Sequence, residues 1–307
     1  MILTISFPEG INREFKMFRY PGGEVQVRLT EEIVNLVKHP KVERIHVVAR
    51  IRDGEIMAMA QLLNTIKAAT SADIRLILPY LPYARADRRF VLGDTLGLQV
   101  FGQLLNQISY DIVTLDAHSP EASKYIRHLT NVSPLPIIRS VIDQLDGTTT
   151  YGIPVVSTAV LLPDEGSRHR YGIPDSPYLL HATKKRDPET GTLSGFEAPP
   201  PDAFKADNIL IVDDICDGGA TFNGIADALE ASGNHLPRYL YVTHGIFSKG
   251  YNELFKRFKK IYTTDSFGGL YPGNYEGLTI IPCMGTILDA VLTRSELWRN
   301  AAEEQKK

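Results

Sequence analysis

The chain has 307 residues, of which 43% are hydrophobic and 22% charged, and its formal net charge is -3 at pH 7. This length accommodates two domains with separate cores, and the lack of a basic excess argues against a nucleic-acid partner. Its two cysteines are too few for a disulfide framework, and no apolar run is long enough to span a membrane. Because the N-terminus also lacks the pattern of a signal peptide, we expect a cytoplasmic protein with no membrane partner.

Apolar runs typical of buried strands alternate with helical patterns in the first half of the chain. Three such strand and helix pairs occur, at 45–49 with 56–69, at 74–78 with 96–107, and at 112–115 with 121–129. This alternation predicts parallel βαβ units.

The pattern begins again after Pro134 and Pro136, with a predicted helix at 141–145. Further strands are predicted at 155–162, 178–181, 209–212 and 239–243, with a helix at 222–231. We therefore predict an α/β protein of two doubly wound parallel-sheet domains. Their predicted bounds are 1–137, joined by a C-terminal helix at 292–307, and 138–291.

The segment at 209–229, ILIVDDICDGGATFNGIADAL, reads as a buried strand, an acidic pair, a glycine-rich turn and a helix. Gly218 and Gly219 allow a tight turn and leave backbone N–H groups uncovered, and the helix N-terminus that follows favours an anion. Asp213 and Asp214 are suited to hydroxyl groups or a metal ion. The combination favours a site for a sugar phosphate over a plain strand-to-helix turn.

The helix after this turn has recognisable signals at both ends. Thr221 stands where an N-cap residue is expected, and Gly233 stands where a C-terminal glycine is expected. We therefore predict a helix bounded by these two residues.

Other polar residues also follow predicted strands, where ligands gather in open α/β sheets. They are Asp116, His118, Asp164, Thr243 and His244. The segment from Lys184 to Lys205 is rich in charge, glycine and proline, which is typical of a disordered loop or a functional flap.

The segment VDDICDGGAT resembles the loop for phosphoribosyl diphosphate (PRPP) that type I phosphoribosyltransferases and PRPP synthetases share. Three further segments, LPYLPYARADRR at 78–89, TLDAHS at 114–119 and VTHGIFS at 242–248, resemble segments of the synthetases in the same order. The chain is therefore identified as resembling the ribose-phosphate diphosphokinase family, as a divergent member. The resemblance implies a type I phosphoribosyltransferase-like fold for both domains.

The resemblance also implies a reaction, in which the diphosphoryl group of ATP passes to the anomeric hydroxyl of ribose 5-phosphate, with Mg²⁺, to give PRPP and AMP. It implies a homodimer or larger homo-oligomer, because a neighbouring subunit completes the adenine site of this family. The implied residues are Lys184 (or Lys185) and Arg186 for catalysis; Tyr20, Glu24, Arg85, Asp87 and His118 for ATP; Asp116, His118 and Asp164 for the metal; and Asp213, Asp214, Asp217, Gly218, Gly219, Ala220 and Thr221 for the ribose phosphate.

The sequence departs from the family at several positions. Gly22 replaces an asparagine near the adenine contacts, and Ala86 replaces a glutamine. Gly218 replaces a threonine in residues 213–221, which we call the acceptor loop after the role that the resemblance implies. Loss of the threonine side chain is expected to open space, which suggests a larger acceptor such as ADP-ribose as an alternative to ribose 5-phosphate. A phosphoribosyltransferase that consumes PRPP and a non-catalytic regulatory homologue are two further hypotheses for the function.

Overall fold

The computed structural model describes residues 2–7, 15–52, 54–109, 111–147, 156–171, 176, 178–186, 193–270 and 272–292. The chain divides into two compact units, one of Met1–Val132 with the residues from Ile287 onward, and one of Ser133–Thr286. Within the described ranges, no helix combines the length and the apolar character that crossing a membrane requires.

The first unit is built on a parallel sheet of five strands, in the order β1-β4-β5-β6-β7, and carries a separate hairpin of β2 and β3. Its elements are β1 (Ile2–Phe7), β2 (Phe15–Arg19), β3 (Val25–Leu29), α1 (Glu31–Val37), β4 (Arg44–Ala49), α2 (Ile56–Ala69), β5 (Asp73–Leu78), α3 (Gly97–Ile108), β6 (Asp111–Leu115), α4 (Ala122–Tyr125) and β7 (Leu129–Val132).

Helix α2 joins the sheet to the hairpin of the first unit. Its apolar residues Met59, Leu62 and Ile66 are fully buried in the core. On the hairpin side, Gln61 donates from Nε2 to the carbonyl of Val25 at 2.8 Å and accepts at Oε1 from the N–H of Val27 at 3.0 Å. The glutamine thus replaces a missing strand partner at the edge of β3.

The second unit is built on a sheet of seven strands, in the order β15-β16-β14-β13-β12-β8-β9, in which only the pair β15 and β16 is antiparallel. Strands β10 and β11 form a separate antiparallel hairpin. The elements are α5 (Leu135–Asp146), β8 (Thr158–Leu162), α6 (Gly166–Tyr171), β9 (Leu179–His181), β10 (Thr183–Arg186), β11 (Leu193–Glu197), a 3-10 turn (Pro201–Ala203), β12 (Asn208–Cys216), α7 (Ala220–Ala231), β13 (Arg238–Gly245), α8 (Asn252–Phe255), β14 (Lys260–Thr264), β15 (Gly273–Tyr275) and β16 (Leu278–Ile281); residues 284–292 are also helical.

Two helix predictions need correction. The helical pattern at 121–129 is helical only over Ala122–Tyr125, because Leu129 pairs with Ile112 at the start of strand β7. The helix predicted at 141–145 begins earlier, at Leu135, because proline is tolerated in the first helical turn and Pro136 lies there. The predicted domain boundary at 137 lies inside this helix, whereas the compact units divide after Val132.

The strand that carries the acidic pair is longer than predicted. Strand β12 continues to Cys216, and the neighbouring β13 extends with it, so that Asp213 pairs with Val242 and Cys216 pairs with Gly245. The acidic residues therefore lie inside the last part of a paired strand, whose ladder fixes their backbone.

The ends of helix α7 confirm one capping prediction and contradict the other. Gly219, with φ 79°, is the N-cap residue, so Thr221 lies inside the first turn and its prediction as the N-cap was wrong. At the other end Gly233 has φ 82°; its N–H donates to Glu230 O at 3.0 Å, and that of Asn234 donates to Leu229 O at 2.9 Å. This pair of bonds is typical of a helix that ends at a glycine, as the sequence predicts for Gly233.

The segment predicted as a loop from Lys184 to Lys205 contains a β-hairpin instead. Strands β10 and β11 pair from Thr183 with Glu197 to Arg186 with Leu193, and residues 187–192 lie outside the described residues. The predicted C-terminal helix lies outside the described residues from 293 onward.

Candidate functional site

In the second unit, the acidic pair at the end of β12 is held by an arginine that the sequence did not single out. One Nη of Arg170, on α6, lies 2.7 Å from Asp214 Oδ1 and 3.5 Å from Asp213 Oδ1. The side chain of Asp214 is only 4% exposed. A buried carboxylate needs such a partner, so Arg170 fixes the position of the pair.

The two carboxyl groups are electrostatically linked. Burial and the neighbouring Asp214 carboxylate raise the pKa of Asp213 well above its ordinary value, and Arg170 only partly opposes them. Oδ1 of Asp213 also accepts a hydrogen bond from the N–H of Asp214 at 2.9 Å. The pair therefore retains a proton more strongly than two exposed aspartates would.

The glycine turn that follows opens the N-terminus of α7. Gly219 has φ 79°, a backbone conformation that favours glycine, and a Cβ on it would be in tight contact with Leu254, 3.1 Å from Cδ2. The first intrahelical bond runs from the N–H of Asn223 to Gly219 O at 3.0 Å. The N–H groups of Ala220 and Thr221 precede that bond and have no acceptor within the helix, which is the arrangement that binds anions.

Gly218 does not leave the open space that the sequence suggested. A Cβ at this position would lie 3.2 Å from Cδ and 3.3 Å from Cε of Lys249, so the stem of the lysine already occupies the room. The prediction of free space at Gly218 was therefore wrong. A neighbouring charged side chain occupies this space.

Gly22 shows the same relationship in the first unit. A Cβ there would lie 2.6 Å from Oε2 of Glu24, so the glutamate side chain covers Gly22. Tyr20, in the same hairpin turn, is 51% exposed, and its N–H donates to Glu24 O at 2.9 Å. The turn thus brings the two predicted adenine contacts together.

Asp217 is tied to the turn that follows β13. The hydroxyl of Ser248 donates a hydrogen bond to Asp217 Oδ1. The N–H groups of Ile246 and Phe247 both donate to Cys216 O, at 2.9 and 3.0 Å. Three bonds therefore join the acceptor loop to the turn at 246–250.

Asp164 has a structural role beside β8. Its Oδ1 accepts hydrogen bonds from the N–H of Ser167 at 3.0 Å and from the Ser167 hydroxyl at 3.2 Å, at the start of α6. These two bonds position the helix that carries Arg170. The sequence predicted Asp164 only as a metal ligand.

In the first unit, the loops after β5 and β6 bring Asp87, Ser119 and His118 together. Asp87 is 6% exposed, and Nε of Arg88 lies 3.0 Å from its Oδ1. Burial opposes ionisation, but hydrogen bonds from Arg88 and Ser119 and the charges of Arg88 and His118 hold the pKa of Asp87 below its ordinary value. Arg85 is exposed in the turn just before this carboxylate.

Asp116 lies at the end of β6 in an unusual backbone conformation. Its φ is 48°, its side chain is buried, and its N–H donates to Val132 O at 2.9 Å. Left-handed backbone at a residue other than glycine is often found at functional positions.

The described residues contain no group of three or more histidine, cysteine, aspartate and glutamate side chains that could hold a metal ion. Of the predicted ligands, Asp116 and His118 belong to the first unit and Asp164 belongs to the second. Magnesium prefers a few carboxylate oxygens supplemented by water and phosphate, so the donors present fit an ion carried by a nucleotide better than one in a protein cage.

Lys184, Lys185 and Arg186 lie in strand β10, where the first of these is the register partner of Phe196. Phe196 in turn packs against helix α7 at Gly224. The hairpin is thereby attached to the helix that begins at the acceptor loop.

Sequence reasoning missed Arg170, Ser248 and Lys249, whose roles depend on contacts between segments that are distant in the chain. It singled out Thr243 and His244 but missed their partners, Thr264 and Ser266, with which they form a buried polar network at the ends of β13 and β14. There, Nδ1 of His244 lies 2.8 Å from the hydroxyl of Ser266, and Thr264 donates to Thr243 O at 2.7 Å. The run of polar residues at 263–266 after an apolar strand was the signal that could have found it.

Comparison with known families matches residues 11–108 to the N-terminal domain of ribose phosphate pyrophosphokinase. The chain is 24% identical over 259 residues to the ribose-phosphate pyrophosphokinase of Thermoplasma acidophilum, with 82% of this chain and 83% of that protein covered. It is 26% identical over 268 residues to the enzyme of the same name from Bradyrhizobium diazoefficiens, covering 82% and 77% of the two chains.

Among solved structures, the fold matches the phosphoribosylpyrophosphate synthetase from Mycobacterium smegmatis with a TM-score of 0.69 and 16% identity, over 96% of this chain and 99% of that one. The predicted fold class, two α/β units on parallel sheets of type I phosphoribosyltransferase-like fold, is confirmed. The predicted resemblance to the ribose-phosphate diphosphokinase family, at a divergent level of identity, is confirmed as well.

Proposed function

We propose that this chain, a divergent relative of the ribose-phosphate diphosphokinases, transfers the diphosphoryl group of ATP to the anomeric hydroxyl of ribose 5-phosphate and so produces PRPP and AMP. The observation that carries this proposal is the acceptor loop. A fixed pair of carboxyl groups, Asp213 and Asp214, lies in the last part of β12, and the open N-terminus of α7 follows directly after the glycine turn. Carboxylates accept hydrogen bonds from a sugar diol, and a helix N-terminus binds phosphate.

The acceptor loop presents the sugar for reaction. Arg170 holds both carboxyl groups in place, so the diol would bind to a prepared surface and the sugar would keep one orientation. Asp217, Gly218, Gly219, Ala220 and Thr221 would hold the 5-phosphate end. Orientation of this kind lowers the barrier because the acceptor need not be positioned during the reaction.

The transfer itself forms one bond and breaks one. The anomeric oxygen attacks the β-phosphorus of ATP, the bond from that phosphorus to the oxygen of the α-phosphate breaks, AMP leaves, and the hydroxyl proton passes to solvent. Lys184 and Arg186 would supply positive charge to the phosphate oxygens as charge moves between them. Magnesium bound with the nucleotide would neutralise phosphate charge. Asp116, His118 or Asp164 would contact this ion.

The first unit supplies the proposed ATP contacts. Arg85 offers a guanidinium for bidentate phosphate binding, beside the ionised Asp87 and its neighbour His118. Tyr20 and Glu24 would hold the adenine, and we propose that they do so for a neighbouring subunit in a homodimer or larger homo-oligomer.

The proposal is tested by incubating the protein with ATP and magnesium and one acceptor at a time, and following AMP by chromatography and PRPP by phosphorus NMR. We expect AMP and PRPP with ribose 5-phosphate, and little AMP with ribose. AMP with ADP-ribose alone would move the acceptor assignment to the larger compound. Absence of AMP with every acceptor would overturn the proposal in favour of a regulatory homologue, and PRPP consumption with a nucleobase would indicate a phosphoribosyltransferase.

Variants of the hairpin cations test the catalytic assignment. Lys184→Ala and Arg186→Ala should each lower kcat by roughly 100-fold or more with ATP affinity nearly unchanged, since these groups would act in the transition state. Lys185→Ala identifies which lysine carries the role. Lys256→Ala is the matched control, because Lys256 is 66% exposed and pairs only with Glu253 on the surface of α8 among its described contacts.

A further inference from the structure

We infer that Lys249 is a specificity-determining residue of the acceptor site, whose ammonium group binds the terminal 5-phosphate and whose stem excludes acceptors that continue beyond it. This inference rests on the proposed function. No sequence pattern singled out Lys249, and the proposed contacts to the acceptor do not include it.

The position of the lysine stem relative to the acceptor loop is the first observation. Cγ, Cδ and Cε of Lys249 lie 3.5, 3.2 and 3.3 Å from the place where a Cβ of Gly218 would stand. The stem therefore runs along the glycine itself. Since Nζ is bonded to Cε, the ammonium lies one bond beyond this contact, beside the turn that opens α7.

The backbone that carries the lysine is held by the same loop. Ile246 and Phe247 donate to Cys216 O, and Ser248 donates to Asp217 Oδ1. The turn is closed by the N–H of Gly250, which donates to Phe247 O at 2.8 Å. A cation on a turn fixed in this way loses less conformational entropy when it binds a ligand.

The charge of Lys249 is not committed elsewhere in the described part of the chain. Neither a hydrogen bond nor an ion pair of its ammonium occurs among those residues. Arg170, by contrast, is already engaged with Asp213 and Asp214. A phosphate monoester at the α7 N-terminus would thus meet one unengaged ammonium, the group that binds phosphate as a point charge.

Gly218 and Lys249 depend on each other. A threonine at 218 would place its Cβ against the middle of the lysine stem, which would have to shift by a few tenths of an ångström, so the glycine favours the observed position of the stem. Conversely, the stem occupies the room that a group attached to the phosphate would need. The pair therefore favours ribose 5-phosphate over an acceptor such as ADP-ribose, opposite to what the glycine alone suggested.

The charge is tested with Lys249→Met, which keeps an unbranched stem and removes the ammonium. We expect the KM for ribose 5-phosphate to rise about 10- to 100-fold, the value of a hydrogen bond to a charged group, with the KM for ATP unchanged. Lys249→Arg should recover part of the loss, and Lys256→Met should behave as wild type. An unchanged KM for ribose 5-phosphate in Lys249→Met would overturn the inference.

The stem is tested by comparing Lys249→Ala with Lys249→Met on ADP-ribose. The shorter side chain should raise the ratio of kcat/KM for ADP-ribose to that for ribose 5-phosphate, whereas methionine should not. In a double-mutant cycle, Gly218→Thr should weaken acceptor use in the wild-type background and be tolerated with Lys249→Ala. Additive effects of these two substitutions would contradict the mutual dependence.

A binding measurement separates failure of this inference from failure of the proposed function. If the wild-type protein releases no AMP with any acceptor, the proposed function fails, but calorimetry with ribose 5-phosphate still tests Lys249. Weaker binding by Lys249→Met than by wild type supports the inference. Equal binding by the two proteins, or none by the wild type, overturns it.

Discussion

Phe196 of strand β11 occupies the space beside Gly224 of helix α7. A Cβ on the glycine would lie 2.7 Å from Cδ2 and 2.9 Å from Cε2 of the ring. Glycine inside a helix costs about 1 kcal/mol relative to alanine, so this contact gives a physical reason for its presence. Because Phe196 is the register partner of Lys184, its contact with Gly224 positions the hairpin that carries the proposed catalytic cations.

We expect Gly224→Ala to lower kcat by roughly 10- to 100-fold, because the methyl group must displace Phe196 and with it the hairpin. The free energy of unfolding should change little, since the gain in helix propensity of about 1 kcal/mol offsets the clash. The change is checked by steady-state kinetics together with urea unfolding.

Gly285→Ala is the matched control for this substitution. Gly285 is also helical, and a Cβ there would meet nothing within 4 Å. It should leave kcat unchanged, and Phe196→Leu in the Gly224→Ala background should restore part of the activity. A wild-type kcat for Gly224→Ala would show that the contact between Phe196 and Gly224 does not position the hairpin.

The sequence predicted features that depend on local pattern and missed those that depend on tertiary contacts. The βαβ order, the acidic pair and the glycine stop at Gly233 could all be read locally, because periodicity and turn chemistry are local properties. Thr221 was a plausible N-cap by residue type, but Gly219 accepts the left-handed conformation that begins the helix. Local pattern alone did not reveal that Lys249 fills the space at Gly218.

Arg170 should be needed for both stability and acceptor binding. Arg170→Met removes this cation from Asp213 and Asp214, so we expect a loss of about 3 kcal/mol in the free energy of unfolding. Urea unfolding at pH 7 measures it, and the KM for ribose 5-phosphate should rise as the carboxyl groups lose their fixed position. Asp214→Asn in the same background should recover part of the stability.

A conservative replacement of the arginine and a control at an exposed ion pair define what Arg170 contributes. Arg170→Lys should retain more stability than Arg170→Met, although a single ammonium replaces the planar group. Lys256→Met, which breaks an exposed pair with Glu253, should change stability by no more than about 1 kcal/mol. If Arg170→Met matched this control, the ion pair with the carboxyl groups would not be a stabilising contact.

The two cysteines should be inert in the folded protein. Both side chains are fully buried, and burial, with a smaller contribution from the charges of Asp213 and Asp217, raises the pKa of Cys216 to about 12. Because the thiolate is the reactive form, a thiol reagent at pH 8 should label neither residue without denaturant and both in guanidinium. Rapid labelling of Cys216 in the native protein would show that the acceptor loop opens.

His46 should make the first unit sensitive to acid. The side chain is fully buried in β4, and neither ring nitrogen has a hydrogen-bond partner among the described residues. Burial, together with the charges of Arg75 and Arg44 and against that of Asp111, lowers the pKa of His46 from 6.5 to about 4. The unfolded chain binds the proton more readily than the folded one. The contribution of His46 to the free energy of unfolding is therefore fully present above pH 6.5 and is lost as the pH falls towards 4.

His46→Leu removes this proton uptake, so its free energy of unfolding should vary less than that of wild type between pH 6.5 and 4. The difference should be on the order of 2 to 3 kcal/mol over that window, from the size of the pKa change. Urea unfolding at several pH values measures it, and NMR of the His46 ring should show no titration near pH 6.5. The exposed His235 provides the control His235→Leu, which should follow the wild-type profile. Parallel loss of stability in wild type and His46→Leu would assign the acid sensitivity to another group.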